Sequence, residues 1–184
     1  MISNLQKAYV IHSRPYKETS LIVTFLTEKK GKITAVAKGA KRKNSRLSGN
    51  LEPFQSLNID FRGKSDLKSL VLAEPSEVFE DFCGSENLYS AFYINELINY
   101  LIAQADETVE IFDLYKKCIA NLKKNNSIEK TLRNFELDIL SVLGYEINER
   151  EFSKDSLRVC KEINRSTINY YFEELNIKSR IFFK

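Results

Sequence analysis

Apolar and polar positions change their rhythm along this chain. Through the first 75 residues the period is two, the signature of strands with one buried face. Residues 7–13 form an extended apolar run with Tyr9, Val10 and Ile11. After a turn at Arg14-Pro15-Tyr16, residues 19–27 alternate with Leu21, Val23 and Phe25 on one face. Lys30-Gly31 supplies a tight hairpin signal. In residues 32–38, Ile33, Ala35 and Ala37 point one way, and Lys32, Thr34, Val36 and Lys38 the other, toward an open face. A polar connection runs to about Gly49. Residues 54–62 then place Leu57, Ile59 and Phe61 inward, and residues 67–73 complete a fifth strand ended by Pro75. Five short strands with a long connection after the third predict a small closed barrel of the OB type. The same strand count also fits an SH3-like barrel or an open meander.

Beyond residue 85 the period becomes helical. Residues 86–103 carry Leu88, Phe92 and Leu97 among their apolar positions. Residues 109–122 show Ile111, Phe112, Tyr115, Cys118, Ile119 and Leu122 at spacings of one, three and four. Residues 128–143 repeat the pattern with Ile128, Leu132, Phe135, Ile139, Val142 and Leu143; Asn126 or Ser127 can cap the start and Gly144 the end. Residues 145–165 are charged and irregular, and 167–175 predict a last short helix through Ile168, Tyr171, Phe172 and Leu175. These stripes are core rather than cofactor contacts. The expected class is α+β, with an OB domain over 1–80 and a helical domain over 81–184.

Charge changes the picture more than composition does. Residues 1–72 hold 14 Lys+Arg against 5 Asp+Glu, whereas residues 73–184 hold 14 against 20. The overall charge of +3 hides a basic front and an acidic back. The front concentrates in Lys38-Gly39-Ala40-Lys41-Arg42-Lys43-Asn44-Ser45-Arg46. Such a surface attracts polyanions, because each neutralised phosphate releases condensed counterions. A solvated loop that merely keeps the protein soluble is the plain alternative; the strands around the run favour a nucleic-acid groove.

The inventory for catalysis is thin. His12 is the single histidine, inside a strand pattern, where it reads as structural or as a contact residue. Cys83, Cys118 and Cys160 are widely spaced, with no CxxC pair, and read as buried thiols rather than a zinc site or a disulfide framework. No phosphate-cradling glycine motif is present, so an enzyme is not expected and no nucleotide or metal cofactor is implied. The first residues lack the apolar core of a signal peptide and no stretch suits a membrane span, so a cytoplasmic, nucleoid-associated protein is expected.

Specific segments resemble a known family. Ala8-Tyr9-Val10-Ile11-His12-Ser13-Arg14-Pro15-Tyr16-Lys17-Glu18-Thr19-Ser20-Leu21 is similar to the opening of the bacterial RecO recombination mediators. So are Gly31-Lys32-Ile33-Thr34-Ala35-Val36-Ala37-Lys38-Gly39-Ala40-Lys41 and Leu51-Glu52-Pro53-Phe54. Tyr93-Ile94-Asn95-Glu96-Leu97, Leu132-Arg133-Asn134-Phe135-Glu136-Leu137, Leu143-Gly144-Tyr145 and Leu175-Asn176-Ile177-Lys178-Ser179-Arg180 extend the likeness in order along the chain. Family members usually carry several dozen more residues between the last two motifs, often with a four-cysteine zinc site. Here that interval is short and holds only Cys160, so zinc binding is not implied and partner contacts of the longer segment do not carry over.

The resemblance implies an OB barrel followed by a helical domain. It also implies binding of single- and double-stranded DNA, annealing of strands coated with single-strand-binding protein, and recombinase loading with RecR. Arg14, Lys17, Lys32, Lys38, Lys41, Arg42, Lys43, Arg46, Arg62 and Lys68 are the candidate phosphate contacts on the barrel's open face, and Tyr16 the candidate stacking platform; Tyr9 and Phe61 are assigned to the core. Arg133, with Lys130 beside it, is the candidate for the carboxylates of the single-strand-binding protein's acidic C-terminal tail. Two rivals come from other classes: an OB-fold RNA-binding module, and a scaffold whose barrel binds an acidic protein.

Overall fold

A computed structural model describes residues 5–47, 49–78, 80–104, 109–124, 127–144 and Ser166. The expected short helix at 167–175, Cys160, and the motifs at Tyr145 and Lys178-Ser179-Arg180 lie outside the described residues. The chain divides into two compact units, Met1–Glu80 with Ile102–Phe112, and Asp81–Leu101 with Asp113–Lys184. Ile102–Phe112 thus groups with the barrel although it lies far from it in sequence.

Five strands build the first unit: β1 (Gln6–Tyr16), β2 (Ser20–Thr27), β3 (Gly31–Ala37), β4 (Ser56–Arg62) and β5 (Leu67–Pro75). They close in the order β1-β2-β3-β5-β4. All neighbours are antiparallel except β3 and β5, which run parallel over Thr34↔Leu67 to Val36↔Ser69. The closed five-stranded barrel followed by helices is the expected OB-type architecture. Its interior is filled by the alternating positions read from the sequence, Val23 and Phe25, Ile33, Ala35 and Ala37, Leu57 and Ile59, with Leu21 and Phe61 packed at the margins. Small Ala8, Ala35, Ala37 and Ala73 let five strands close tightly around the larger Phe25.

Pairing is staggered, as barrel closure demands. Followed through β2, β3 and β5, Arg14 shares a row with Ile22, Val36, Ser69 and finally Arg62. Across the direct β1–β4 seam it is instead Gln6 that faces Ile59.

β1 runs longer than its apolar run predicts. Arg14-Pro15-Tyr16, expected as a turn, belongs to the strand, with Arg14↔Ile22, Pro15↔Leu21 and Tyr16↔Ser20. Proline is tolerated there because β1 pairs with β4 only over Gln6–Tyr9, so at Pro15 the other edge owes no ladder hydrogen bond. The turn itself falls on the next residues, with Lys17 at φ 54°.

In the second unit, α1 (Ser85–Leu101), α2 (Val109–Lys123) and α3 (Ile128–Val142) bury Ile94, Leu97, Ile98, Tyr115, Ile119, Leu122, Leu132, Phe135 and Ile139. The start of α2, through Phe112, is counted with the barrel unit. α1 departs from its apolar spacing. Phe92 is exposed and Leu88 half-buried, while Asn87, Ser90 and Asn95 are buried. Their polar groups have partners: Asn87 Nδ2 donates to the Leu122 carbonyl at 2.8 Å, Ser90 Oγ to the Glu86 carbonyl at 2.7 Å, and Tyr115 Oη to Asn95 Oδ1 at 2.6 Å. A buried amide is tolerable only when so satisfied. Ser127 occupies the N-cap of α3 without a side-chain cap bond, and Gly144 at φ 80° follows its C-terminus.

Candidate nucleic-acid interface

The long connection after β3 is charged outside and anchored inside. Ala40 and Leu51 enter the barrel core and Leu47 packs against it. The loop coils tightly between these anchors: Gly39 takes φ 69°, and the amides of Arg42 and Ser45 each donate to a carbonyl three residues back, Gly39 and Arg42, at 3.0 Å. Lys38, Lys41, Arg42, Lys43 and Arg46 are left exposed.

The loop's exit is pinned as firmly. Phe54 is buried at φ 71°, a left-handed conformation that costs a bulky residue roughly 1–2 kcal/mol. Its amide donates to the Val10 carbonyl at 2.9 Å, and the Val10 amide donates to the Gln55 carbonyl at 3.0 Å. These bonds fall where β1 slips register between Val10 and His12.

A second cationic element adjoins this loop. The Lys41 amide donates to the Thr19 carbonyl at 2.9 Å, so the β1–β2 turn and the long loop form one lobe. On the β1 side, Arg14 and Lys17 are exposed, and Lys17 Nζ sits 5.4 Å from the centroid of the Tyr16 ring. The Tyr16 ring is thus already engaged by a cation. The lobe brings together Arg14, Tyr16, Lys17, Lys38, Lys41, Arg42, Lys43 and Arg46, against the exposed carboxylates of Glu18 and Glu52.

Three of the sequence candidates on the barrel stand elsewhere. Lys32 is not on an open face: it is 6% exposed. The segment after α1 lies beside it, with Lys32 bridged in parallel to Gln104 and Gln104 Nε2 donating to Thr34 Oγ1 at 3.0 Å. Burial pushes the Lys32 ammonium below its ordinary pKa. Alternation gave the correct outward face, but could not show that a distant segment covers it. Lys68 pairs with Ala35, whose side chain is in the core, so it takes the inward parity of β5 and is half-buried. Arg62 does face outward and is exposed, at the far end of the row from Arg14. That row spans about 19 Å of sheet at roughly 4.8 Å per strand gap. Asp60 and Asp66, two and four residues from Arg62 in sequence, dilute its charge.

Tyr9 is buried, as expected of a core residue, but on the outer side of the barrel, where its ring packs 5.4 Å from Phe112 at 42°. Burial, then the Glu77 carboxylate, raise its phenol pKa, partly offset by a hydrogen bond with Ser56.

In the helical unit, α2 and α3 line an open groove of about 540 Å³. Leu114, Cys118 and Phe135 form apolar parts of it, and Lys117 and Lys130 carry positive charge, with Asp138 also present. Burial, aided by Glu136 and Asp138, raises the Cys118 thiol pKa far above its usual value, so the thiol stays protonated. Lys130 is thus found at a groove. Arg133 is not: it is 3% exposed, with Nη2 2.9 Å from Glu136 Oε1. The expectation that its guanidinium is offered to a partner's carboxylates is corrected by this internal carboxylate, which already engages it. Lys117 escaped sequence reading because its place opposite α3 depends on how two helices meet.

Comparison with known proteins meets this geometry at both units. The model of the recombination protein O N-terminal domain matches residues 1–79, and that of the recombination protein O C-terminal domain matches residues 85–154. The chain belongs to the RecO family. A DNA repair protein RecO of Haemophilus influenzae (strain PittGG) is 42% identical over 148 residues, covering 80% of this chain and 62% of that relative. Those of Idiomarina loihiensis (42% over 140 residues, 76% and 60%) and Actinobacillus pleuropneumoniae serotype 3 (41% over 149 residues, 80% and 62%) are similar. The chain therefore spans about three-fifths of these RecO relatives. Among the described residues no helix is long and apolar enough to cross a membrane.

Proposed function

We propose that this chain serves DNA repair as a non-catalytic recombination mediator. It binds single- and double-stranded DNA, brings together complementary strands coated with single-strand-binding protein, and helps RecR load recombinase, acting in the cytoplasm at the nucleoid. The observation that carries the reading is the cationic lobe tied together by the Lys41–Thr19 bond. Its cations come from two segments far apart in sequence and outnumber the nearby carboxylates, which suits a polyanion. A grip on phosphates is indifferent to sequence, as a repair factor needs.

Annealing asks no bond chemistry of the protein. Cations that screen two strands and hold them close reduce both repulsion and the search for register. In the helical unit, the groove with Lys117 and Lys130 on its walls and Leu114 and Phe135 within it fits the acidic, apolar tail of single-strand-binding protein.

Strand annealing of complementary oligonucleotides, naked and coated with single-strand-binding protein, tests the function. Acceleration on both substrates without nucleotide or metal is the expected result; no acceleration on either rejects the reading. Competition between RNA and single-stranded DNA of one sequence separates it from an RNA-binding module. DNA retention that is weak and insensitive to salt favours a protein scaffold instead.

A further inference from the structure

β5 carries exposed aliphatic side chains on the outer face of the barrel. Leu67 is 42% exposed and Val71 45%. Both lie on the outward parity: Leu67 pairs with Thr34, and Ser69, between them, with Val36. Val71 follows Ser69 by two residues on β5, and Lys38, just beyond the end of β3, follows Val36 by two. The exposure of Val71 has a local cause. β4–β5 pairing passes from Phe61↔Leu70 to Asp60↔Leu72, so Val71 is the unpaired residue of a bulge. Bulges at barrel rims re-aim side chains and gather beside binding sites.

We propose that Leu67 and Val71 form the floor on which bases of a single strand rest while its phosphates are held by Lys38 and the loop cations. This rests on the reading of the lobe as a DNA grip and adds the surface that takes the bases. Charge complementarity selects the occupant: exposed apolar side chains on β5, the strand paired with the β3 that leads into the cationic loop, suit a chain in which phosphates and bases alternate. Single-strand-binding barrels ordinarily offer aromatic rings for stacking. Here the candidate stacking ring, Tyr16, is engaged by Lys17, and the exposed β5 side chains are aliphatic. Bases resting on leucine and valine are shielded from water yet held weakly, which leaves them available for pairing with a second strand.

The test compares full-length chain with L67S/V71S and V71Y on a mixed-sequence single strand and on an abasic strand of equal length. The serine pair should lose about fivefold in affinity for the normal strand, the low end of what base stacking supplies. Its log–log salt slope should not change, because no phosphate contact is removed. Affinity for the abasic strand should be unaltered. V71Y should bind the normal strand more tightly and anneal more slowly. Unchanged affinity of L67S/V71S for the normal strand, or equal loss on both strands, overturns the proposal; a urea midpoint confirms folding of each variant. K41E/R42E/K43E is the separate arm. Loss of binding there, with L67S/V71S unaffected, removes the base floor and leaves the DNA grip standing; retained binding there removes the grip itself.

Discussion

Glu136 Oε1 lies 2.9 Å from Arg133 Nη2 and also accepts a 2.7 Å hydrogen bond from Tyr93 Oη. A cation one turn along α3 and a phenol on α1 thus converge on one buried carboxylate oxygen. All three residues are at most 4% exposed. Removing either charged member of the ion pair takes away the other's counter-charge, which for an internal pair costs about 3–5 kcal/mol.

Arg133→Ala should therefore act chiefly on stability. A fall of that size in unfolding free energy, read from urea denaturation, is expected, whereas Arg133→Leu with Glu136→Leu should recover much of it. A variant as stable as the parent that has lost only tail-peptide binding contradicts the assignment.

Groove affinity should follow Lys117 and Lys130. Charge reversal at both is expected to weaken binding of an acidic tail peptide at least tenfold, measured by titration, with little change in the urea midpoint, since Lys117 and Lys130 are exposed. Coupling between close interfacial charge pairs starts at about 1.5 kcal/mol, which is slightly more than tenfold.

On the barrel, K41E/R42E/K43E should abolish most single-strand binding at moderate salt. In the parent, about six neutralised phosphates give a log–log salt slope near −4. A slope near zero in the parent contradicts a phosphate grip.

Lys32 gives a prediction of opposite sign from its neighbours. Lys32→Met should leave DNA affinity within about twofold, because the ammonium is buried. Its folded pKa is lowered by burial, so the unfolded chain binds more protons between that value and 10.5. Stability in this respect rises with pH across that window, and the penalty is fully present below it. Lys32→Met should flatten the rise and stabilise the chain at neutral pH, as thermal melts across pH would show.

Much of the barrel was legible because a closed sheet buries alternate residues, and Val23, Phe25, Ile33, Ala35, Leu57 and Ile59 keep that alternation without interruption. The cationic loop was legible because its charges are contiguous. Illegible features depend on contacts between segments remote in sequence. Gln104 covering Lys32, Glu136 engaging Arg133 and the bulge that exposes Val71 leave no trace in local spacing. α1 misled for a related reason: its buried Asn87 and Asn95 find acceptors or donors on α2, so polar residues occupy positions that periodicity reserves for apolar ones.

The parallel seam between β3 and β5 dictates the path the chain takes between them. Two strands running the same way cannot be joined by a short hairpin; the chain must travel back before it can return. That obligatory journey here is the basic loop followed by β4. Under the proposed DNA grip, lengthening, shortening or recharging its outer stretch should alter affinity while Ala40, Leu51 and Phe54 keep its ends moored, leaving undisturbed the barrel that supports it.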